Sequence, residues 1–288
     1  LYNEYLNDPA YTQDLQRTNL ISKGVFDDDD SFAAFAQHAA ATKDDLAGVT
    51  SVEGWFDAHS GAKNLTPLKY TSVDSLSKAT LASLTELEQM AMPAMLTAME
   101  DKLFENNKKL RYVDFLSCKD DNLIHSLAYT GMEEMGLNRE KTLLYMPASY
   151  GYTGEDNVVV AGADKMHAQK YYLQDSLDYM VPYSFEVEVI NNDRKLEVSD
   201  IPYTVCLPYN MYVPRGAKAY KLSERDGNKL VFTEETDEMQ AMHPYLLKVE
   251  GNKGVYTGPV TLDEPGYGPQ TIPSNTEARV QQDDAPTT

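Results

Sequence analysis

The feature of the sequence that most restricts the fold is an apolar spacing that returns after 23 residues. Large apolar side chains occupy the first, fourth and sixth positions of a short unit, at Leu87, Met90, Met92 and again at Leu110, Val113, Phe115. Looser copies lie on either side, at Leu65, Leu68, Tyr70 and at Leu144, Met146. A fixed period of about 20–29 residues with this spacing is typical of a solenoid in which each unit contributes one short strand.

Such units must stack, because a single strand and its return segment enclose no core of their own. Stacking places equivalent residues side by side. The spacing therefore predicts that Met90 and Val113 lie opposite each other on adjacent parallel strands. Two amphipathic helices whose apolar faces share a core are the alternative interpretation. The wider separation between Phe115 and Leu144 predicts an insertion before the last copy.

The segment 87–115, which contains one full 23-residue period, is similar to the leucine-rich repeats of BspA-like proteins. Phe104 precedes Leu110 by six positions, and Asn107 lies midway between them. This arrangement resembles the A-F-x-x-C-x-x-L segment of those repeats, with Asn107 at the position of the Cys. The resemblance implies a short stack of imperfect repeats.

The C-terminal half of the sequence predicts strands separated by turns. Residues 184–189 alternate apolar and polar side chains, which is the period of a half-buried strand. Asp226 and Gly227 lie between two strand-like runs and predict a hairpin. The other strand candidates are 157–160, 196–198, 204–207, 219–222, 229–233, 245–249 and 255–257. Several short strands at this spacing predict an antiparallel sandwich or barrel.

A second resemblance covers residues 140–260. Residues 203–209 (YTVCLPY) and 213–220 (VPRGAKAY) are similar to a W-x-T-[IV]-C-L-P-F…P-x-G-x-x-A-Y segment of a β-rich module in secreted and surface proteins of Bacteroidetes. Tyr203 stands in the place of the usual Trp, and His243 in the place of an Asn further on. A repeat followed by this module is also typical of those proteins. The resemblance implies export to the outer face of a Gram-negative envelope and brings no known catalytic motif.

These patterns predict an α+β chain with N-terminal helices, a short leucine-rich-repeat-like stack and a C-terminal antiparallel β-sandwich. The predicted parts are a helical cap region at 1–63, the repeat-like region at 64–148, the sandwich at 149–265 and an extended tail or linker at 266–288. In the first part, Asp8 before Pro9 indicates an N-cap and a first helical position. The acidic run 27–30 indicates a second helix start, with calcium as the alternative.

Charge excludes some classes of partner. The chain has 25 basic and 45 acidic residues, a formal net charge of −20. Nucleic-acid binding depends on Lys and Arg that neutralise phosphates, so we predict no nucleic-acid partner. The acidic excess is uneven, with −8 over residues 1–60, −10 over 151–288 and only −2 over 61–150. No apolar stretch approaches the roughly 18–20 residues of a membrane-spanning helix, so we predict no transmembrane segment.

Known catalytic and metal-binding motifs are missing from the sequence, including H-E-x-x-H, C-x-x-C, G-x-S-x-G and the P-loop. The histidines are scattered, at His38, His59, His125, His167 and His243. The pairs Glu86/Glu88 and Glu186/Glu188 are expected by abundance in so acidic a chain. We therefore predict no catalytic, cofactor-binding or metal-binding residue and no cofactor, and the sequence assigns no binding residue.

Tyrosine and cysteine give two further expectations. Five tyrosines could form a platform for a glycan or peptide, although strand packing also accounts for them, at Tyr150, Tyr152, Tyr171, Tyr172 and Tyr179. Cys118 and Cys206 each lie among apolar residues. We expect two buried free thiols, with a single disulfide as the alternative.

The predicted function is a non-catalytic, secreted or surface-exposed binding or adhesion protein with a protein or glycan ligand. Repeat arrays suit this role because their exposed residues can vary without disturbing the core. One alternative is an accessory glycan-binding or scaffolding part of a larger polysaccharide-handling enzyme or complex. The other is a hydrolase that uses carboxylates not recognisable from their spacing.

Overall fold

The computed structural model of the chain describes residues 46–56, 61–151, 154–174, 177, 179–250, 259–262 and 268–274. Strands predominate in these residues and helices are few, so the fold is rich in β-sheet. The chain divides into two compact units, Leu1–Asp164 and Lys165–Thr288. The predicted helices after Asp8 and after residue 30 lie outside the described residues. No helix in the described ranges is long and apolar enough to cross a membrane.

The first unit is built from short strands with two α-helices between them, as far as its described residues extend. The strands are β1 (Asn64–Leu65), β2 (Ser75–Leu76), β3 (Gln89–Ala91), β4 (Ala98–Met99), β5 (Tyr112–Asp114), β6 (Leu143–Met146) and β7 (Val158–Ala161). The α-helices are α1 (Lys78–Leu81) and α2 (Asp121–Met135), and 3₁₀ helices cover Thr66–Tyr70 and Ala148–Tyr150.

Five of these strands form a parallel sheet in the order β1-β3-β5-β6-β7. Met90 pairs directly with Val113, as the 23-residue spacing predicts, and Leu65 and Leu144 continue the row on either side. The predicted pairing is confirmed, and the alternative of two amphipathic helices is wrong. A second parallel pair, β2 with β4, places Leu76 opposite Met99 and carries the same 23-residue period.

The repeated apolar positions fill the core of this unit. Met90, Val113 and Leu144 are each 0% exposed, and Phe104 is 1% exposed beside them in the same cluster. Burial at these positions explains why the apolar spacing is kept while the intervening residues differ. Each of these strands is only two to four residues long, so the parallel sheet depends on side-chain packing between successive repeats as well as on backbone hydrogen bonds between strands.

Asn107 connects one repeat to the repeat before it. Its side chain is buried, and its Nδ2 donates hydrogen bonds to the carbonyl oxygens of Leu81 at 3.0 Å and Leu84 at 2.8 Å. Leu81 ends α1 and Leu84 lies in the turn after it, and each carbonyl also accepts a backbone hydrogen bond, from the Leu84 N–H at 3.1 Å and from the Leu87 N–H at 3.3 Å. The buried amide thus donates a second hydrogen bond to each of two carbonyls of the neighbouring repeat.

Helix α2 occupies the longer interval before β6 and was not predicted from the sequence. Asp120 caps its start, accepting a hydrogen bond from the Leu123 backbone N–H at 2.8 Å. Gly131, with φ of 72°, interrupts the helix, and Gly136, with φ of 82°, ends it. An acidic N-cap, apolar residues at helical spacing and a terminal glycine were the signals available in the sequence.

The second unit consists of strands throughout its described residues. They are β8 (Met166–Leu173), β9 (Phe185–Asn192), β10 (Lys195–Leu196), β11 (Tyr203–Cys206), β12 (Met211–Tyr212), β13 (Ala217–Asp226), β14 (Lys229–Glu235), β15 (Glu238–Met239), β16 (Pro244–Val249), β17 (Val260–Thr261) and β18 (Gln270–Ile272). Strand β9 pairs in parallel with β8 and antiparallel with β18, which lies in the segment predicted as a tail or linker.

An antiparallel four-stranded sheet, β11-β16-β13-β14, dominates the rest of this unit, with antiparallel pairs β10-β17 and β12-β15. The predicted strands at 184–189, 204–207, 229–233 and 245–249 are confirmed within a few residues, as is the hairpin at Asp226 and Gly227. Strand β8 was not predicted, because His, Gln and Lys interrupt its apolar pattern. The candidate strand at 255–257 lies outside the described residues.

The buried Tyr209 side chain makes two hydrogen bonds inside the second unit. Its hydroxyl accepts a hydrogen bond from Asn192 Nδ2 at 2.8 Å and donates one to the carbonyl oxygen of Leu262. The ring is 1% exposed, so these partners replace water for the hydroxyl group. This residue comes from the YTVCLPY segment that carries the second resemblance.

Candidate functional site

The acids Glu86 and Glu88 form ion pairs with lysines of neighbouring repeats. Glu86 forms an ion pair with Lys109, which lies 23 residues later, and Glu88 contacts Lys63 with 3.4 Å between the charged atoms. Each carboxylate therefore faces a lysine from the next or the preceding repeat. Partly exposed pairs of this kind are worth little stability each, and they account for the two acids without any catalytic role.

The second pair of acids belongs to strand β9. Lys165 donates a hydrogen bond to Glu186, and this contact holds the pKa of the Glu186 carboxyl below its ordinary value. His167 lies 3.7 Å from the same carboxylate, and Glu188 is exposed. A carboxyl with a lowered pKa is ionised at neutral pH and holds no proton to donate, so Glu186 is poorly suited to general acid catalysis.

The histidines lie apart from one another wherever the structure describes them. His125 Nδ1 is 2.7 Å from the Asp121 carbonyl oxygen, and His243 Nδ1 is 2.9 Å from that of Ala241. Within the described ranges, no three His, Cys, Asp or Glu side chains come together in a way that could hold a metal ion. His38, His59 and the acidic run 27–30 lie outside those ranges.

The tyrosines named from the sequence do not gather into one surface in the described residues. Tyr150 is buried in the first unit, and its pKa is raised by burial and by the nearby Glu155 carboxylate. Tyr171 is buried in the second unit, where its ring meets Phe185 edge to face at 5.5 Å. Tyr172 and Tyr179 are half-buried, and Tyr152 lies outside the described residues. Core and strand packing therefore explains Tyr150 and Tyr171, while Tyr179 donates a hydrogen bond to the Pro273 carbonyl oxygen and lines a pocket of the second unit.

The second face of the parallel sheet is also buried over most of its described strands. Its side chains alternate with the core positions, and Asn64 and Gln89 are half-buried, whereas five others are 0–7% exposed, namely Ala91, Tyr112, Asp114, Leu143 and Tyr145. The Tyr112 and Tyr145 rings meet edge to face at 6.3 Å, and burial raises the pKa of Tyr112. This face of the sheet is therefore closed along β5 and β6, and what remains accessible lies towards its β1 end.

A depression of about 700 Å³ lies at the C-terminal end of α2, and we call it the cationic pocket. Its lining is formed by Asn107, Lys108, Glu133, Gly136, Leu137, Asn138, Arg139, Glu140, Lys141 and Thr142. Three cationic and two anionic side chains give this lining a formal charge of 3 − 2 = +1, in a chain whose net charge is −20. No sequence motif marks these residues, although residues 61–150 are the least acidic part of the chain.

The three cations of this pocket form no ion pair within 4 Å among the described residues. The pKa of the nearby Glu105 carboxyl is lowered by its hydrogen bond to Lys78 and, to a smaller extent, by the Lys108 charge. Lys108, Arg139 and Lys141 are all exposed. They are not needed to cap α2, because other groups reach its last carbonyls. The Lys102 backbone N–H lies 2.6 Å from the Glu134 oxygen, and the Phe104 N–H lies 3.0 Å from the Met135 oxygen. Exposed cations that are not held in an ion pair are available to an anionic ligand.

A smaller pocket of about 270 Å³ lies in the second unit. Apolar side chains provide most of its lining, including Leu173, Leu207 and Met242, and the polar lining side chains include Asn192 and Arg194. The polar groups are already engaged: Asn192 Oδ1 accepts from the Arg194 backbone N–H at 3.0 Å, and Asn192 Nδ2 bonds to a tyrosine hydroxyl. This pocket therefore offers apolar contact with few free polar groups.

The two cysteines differ in exposure. Both are free thiols, Cys118 is buried as expected, and the expected burial of Cys206 is wrong because that residue is exposed. Side chains alternate along β11, so burial of Val205 turns Cys206 to the other face. Burial and the Asp114 charge raise the pKa of Cys118 to about 12. Desolvation also raises the pKa of Cys206.

This difference predicts how many thiols react in the native protein. We expect a small disulfide reagent at about pH 8 to modify one thiol per chain, Cys206, and to modify both only after unfolding. The reaction should become faster as pH rises, because the thiolate is the reacting form. Spectroscopic thiol counting checks this, with Cys206→Ser as the control that should show no native reactivity. Two thiols that react at the same rate before unfolding would contradict it.

Comparison of the chain with models of protein families, with curated proteins and with solved structures found no match. Function therefore has to be inferred from the chemistry of the two pockets and from the sequence motifs.

Proposed function

We propose that this protein is a secreted or surface-exposed binding protein whose cationic pocket takes an acidic glycan. The observation that carries the proposal is a set of three cations, Lys108, Arg139 and Lys141, which form no ion pair with the described residues and surround one depression in a strongly acidic chain. Carboxylate and sulfate groups on a sugar are the anions that Lys and Arg bind through charged hydrogen bonds. Asn138 and the two acids on the same rim, Glu133 and Glu140, can bond to sugar hydroxyls.

We further propose that the first unit contains a short leucine-rich-repeat stack of the BspA-like type. The pairing of Leu65, Met90, Val113 and Leu144 along parallel strands supports this, as does the inter-repeat contact of Asn107 at the position of the family's Cys. For the second unit we propose the β-rich module of the second resemblance, arranged as a sandwich. Its four-stranded antiparallel sheet supports that assignment.

Export to the outer face of a Gram-negative envelope, and origin in Bacteroidetes, are proposed from the sequence resemblances. Glycan binding fits this location because polysaccharides are abundant outside cells. The same chemistry also suits an accessory binding or scaffolding part of a larger polysaccharide-handling complex, in which another chain would carry out the cleavage. In both cases we propose that this chain binds its ligand without converting it.

Calorimetric titration with matched neutral and carboxylated oligosaccharides tests the proposal. We expect binding of the carboxylated ligand only, weakened at least about tenfold in K108A/R139A/K141A and weakened further by added salt. The matched control is K119A/K195A/R215A, which removes the same charge at three exposed positions outside the pocket and should bind normally. Equal binding of neutral and carboxylated sugars, or an unaffected triple variant, would overturn the assignment of this pocket.

The same oligosaccharides also test the alternative that the protein is a hydrolase. Release of new reducing ends from any of these oligosaccharides by the purified chain would show turnover and would remove the proposal that the protein is non-catalytic. Binding with no new reducing ends over many hours supports a recognition function.

A further inference from the structure

Independently of any ligand, the hairpin formed by β13 and β14 carries an unpartnered strand edge. Strand β14 is the last strand of its sheet and pairs only with β13 among the described residues. Residues 221–226 and 229–234 are exposed without interruption, so both faces of the hairpin meet solvent. An edge strand presents a row of unpaired backbone N–H and C=O groups, which can pair with another strand.

The exposed hairpin also has an apolar face. Leu222 is 50% exposed and lies directly opposite Phe232, which is 39% exposed, while Leu230 is 57% exposed two positions before Phe232. Residues opposite each other, or two apart on one strand, share a face of the sheet. Leu222, Leu230 and Phe232 therefore form one exposed apolar strip beside the free edge. Isolated exposed apolar residues are ordinary, but a strip next to an unpaired edge is a feature of association surfaces.

The charges of β14 identify the partner. Its sequence, Lys229-Leu-Val-Phe-Thr-Glu-Glu235, begins with a cation and ends with two anions. If two copies pair antiparallel with Phe232 opposite Phe232, then Lys229 of each copy lies opposite Glu235 of the other, and Val231 lies opposite Thr233. Parallel pairing in register would instead place Lys229 beside Lys229. The strand is thus complementary in charge to a reversed copy of itself.

We propose that this edge is the interface of a two-fold symmetric homodimer, in which β14 pairs antiparallel with β14 of a second copy and joins the two four-stranded sheets. Charged residues on an edge strand usually oppose pairing, because they meet apolar or like-charged neighbours. Here Lys229 and Glu235 meet opposite charges in one register and select it, whereas Glu234 lies opposite Leu230 and weakens the pairing. The edge is only about 24 Å long at 3.4 Å per residue, so the dimer is a weak one that forms with rising concentration.

Sedimentation velocity over about 1–200 µM at physiological salt tests this, because salt screens the long-range repulsion between two copies of net charge −20. We expect the wild type to shift from monomer to dimer with concentration. Lys229→Glu and Glu235→Lys should each weaken dimerisation at least about tenfold, because each creates two like-charged pairs across the two-fold axis. An equal mixture of the two variants should restore dimers, since both pairs between positions 229 and 235 are then of opposite charge.

Matched charge reversals outside the hairpin, Lys195→Glu and Glu197→Lys, should dimerise like the wild type. Lys229 has no ion-pair partner of its own among the described residues, whereas Glu235 bonds to Lys221 at 2.9 Å. Circular dichroism of Lys229→Glu and Glu235→Lys therefore checks that each variant is still folded. A wild type that stays monomeric, dimers that survive both single reversals, or a mixture that stays monomeric would each overturn the proposal. A segment outside the described residues that covers the edge would give the first of these outcomes.

A second readout reports the register directly. In a Cys206→Ser background, Phe232→Cys should form an intermolecular disulfide under mild oxidation, because directly opposed strand residues lie within about 4.5–5.5 Å between Cα atoms. Leu230→Cys, on the same face but opposite Glu234 of the partner, should cross-link at least about tenfold more slowly with itself. Equal cross-linking at the two positions would contradict pairing centred on Phe232.

Discussion

Replacing Asn107 by Asp is expected to lower the free energy of unfolding by about 3–5 kcal/mol. The amide Nδ2 is the donor for two buried carbonyl oxygens, those of Leu81 and Leu84. Asp at this position has the same shape but carries a carboxylate, which donates nothing and brings a buried negative charge against two acceptors. Chemical unfolding at neutral pH measures the loss, which is a large part of the roughly 5–15 kcal/mol by which native domains are stable.

The same variant should recover part of its stability as the pH falls. Burial and the two carbonyls favour the protonated acid, so the pKa of the introduced carboxyl would lie higher in the folded variant than in the unfolded chain. An acid with a raised folded-state pKa destabilises the fold as the pH rises through the range between the two values. The deficit of Asn107→Asp relative to wild type should thus be smaller at about pH 4.5 than at pH 7.

Two variants control this experiment. Asn106→Asp adds the same charge at the neighbouring exposed position and should change stability by less than about 0.5 kcal/mol. Asn107→Ala removes the donor without adding a charge and should cost about 2–3 kcal/mol. If Asn106→Asp and Asn107→Asp proved equally stable, the contact between Asn107 and the preceding repeat would not stabilise the stack.

Gly136→Ala is the second substitution with a large expected effect, about 3 kcal/mol. Gly136 ends α2 with φ of 82°, a left-handed conformation that L side chains rarely adopt. A Cβ there would also approach the Glu105 backbone nitrogen to 2.7 Å. That backbone cannot move freely, because the nearby Phe104 N–H bonds to the Met135 carbonyl at the end of the helix. The absence of a side chain lets the repeat loop and the helix end lie this close together.

Gly227→Ala separates the two causes. Gly227 also has a positive φ, of 58°, but a Cβ there would meet nothing within 4 Å. We expect this variant to lose about 1 kcal/mol from backbone strain alone. Thermal unfolding of the two variants, each compared with wild type, therefore measures how much the close approach at Gly136 contributes. Equal losses would mean that the contact with Glu105 relaxes at no cost.

Burial of the second face of the parallel sheet along β5 and β6 restricts where recognition can occur. A repeat stack can use the strand side chains that point away from its core, but Tyr112, Leu143 and Tyr145 are buried here. The cationic pocket instead lies on loops around the end of α2, the helix inserted between two strands of the stack. Loops tolerate changes of sequence that strands do not, so an insertion is a reasonable place for a binding site to arise.

The sequence alone determined the spacing of the stack and most strands of the second unit. The 23-residue period predicts the pairing of Met90 with Val113, because every repeat has to bury the same positions against its neighbours. Similarly, Asp226 and Gly227 mark the β13-β14 hairpin, because few residues suit so tight a turn. These are local or periodic constraints, which leave a direct record in the order of residues.

The tertiary structure alone decided where exposed functional groups meet. Lys108 and Arg139 lie 31 positions apart in the sequence, and only the fold of α2 back onto the repeat loop places them around one pocket. Exposure of Cys206 and burial of Tyr112 likewise depend on which side of a strand other elements cover. Surface residues contribute little to folding energy, so no periodic pattern records their neighbours, and a binding site made from them can be recognised only in three dimensions.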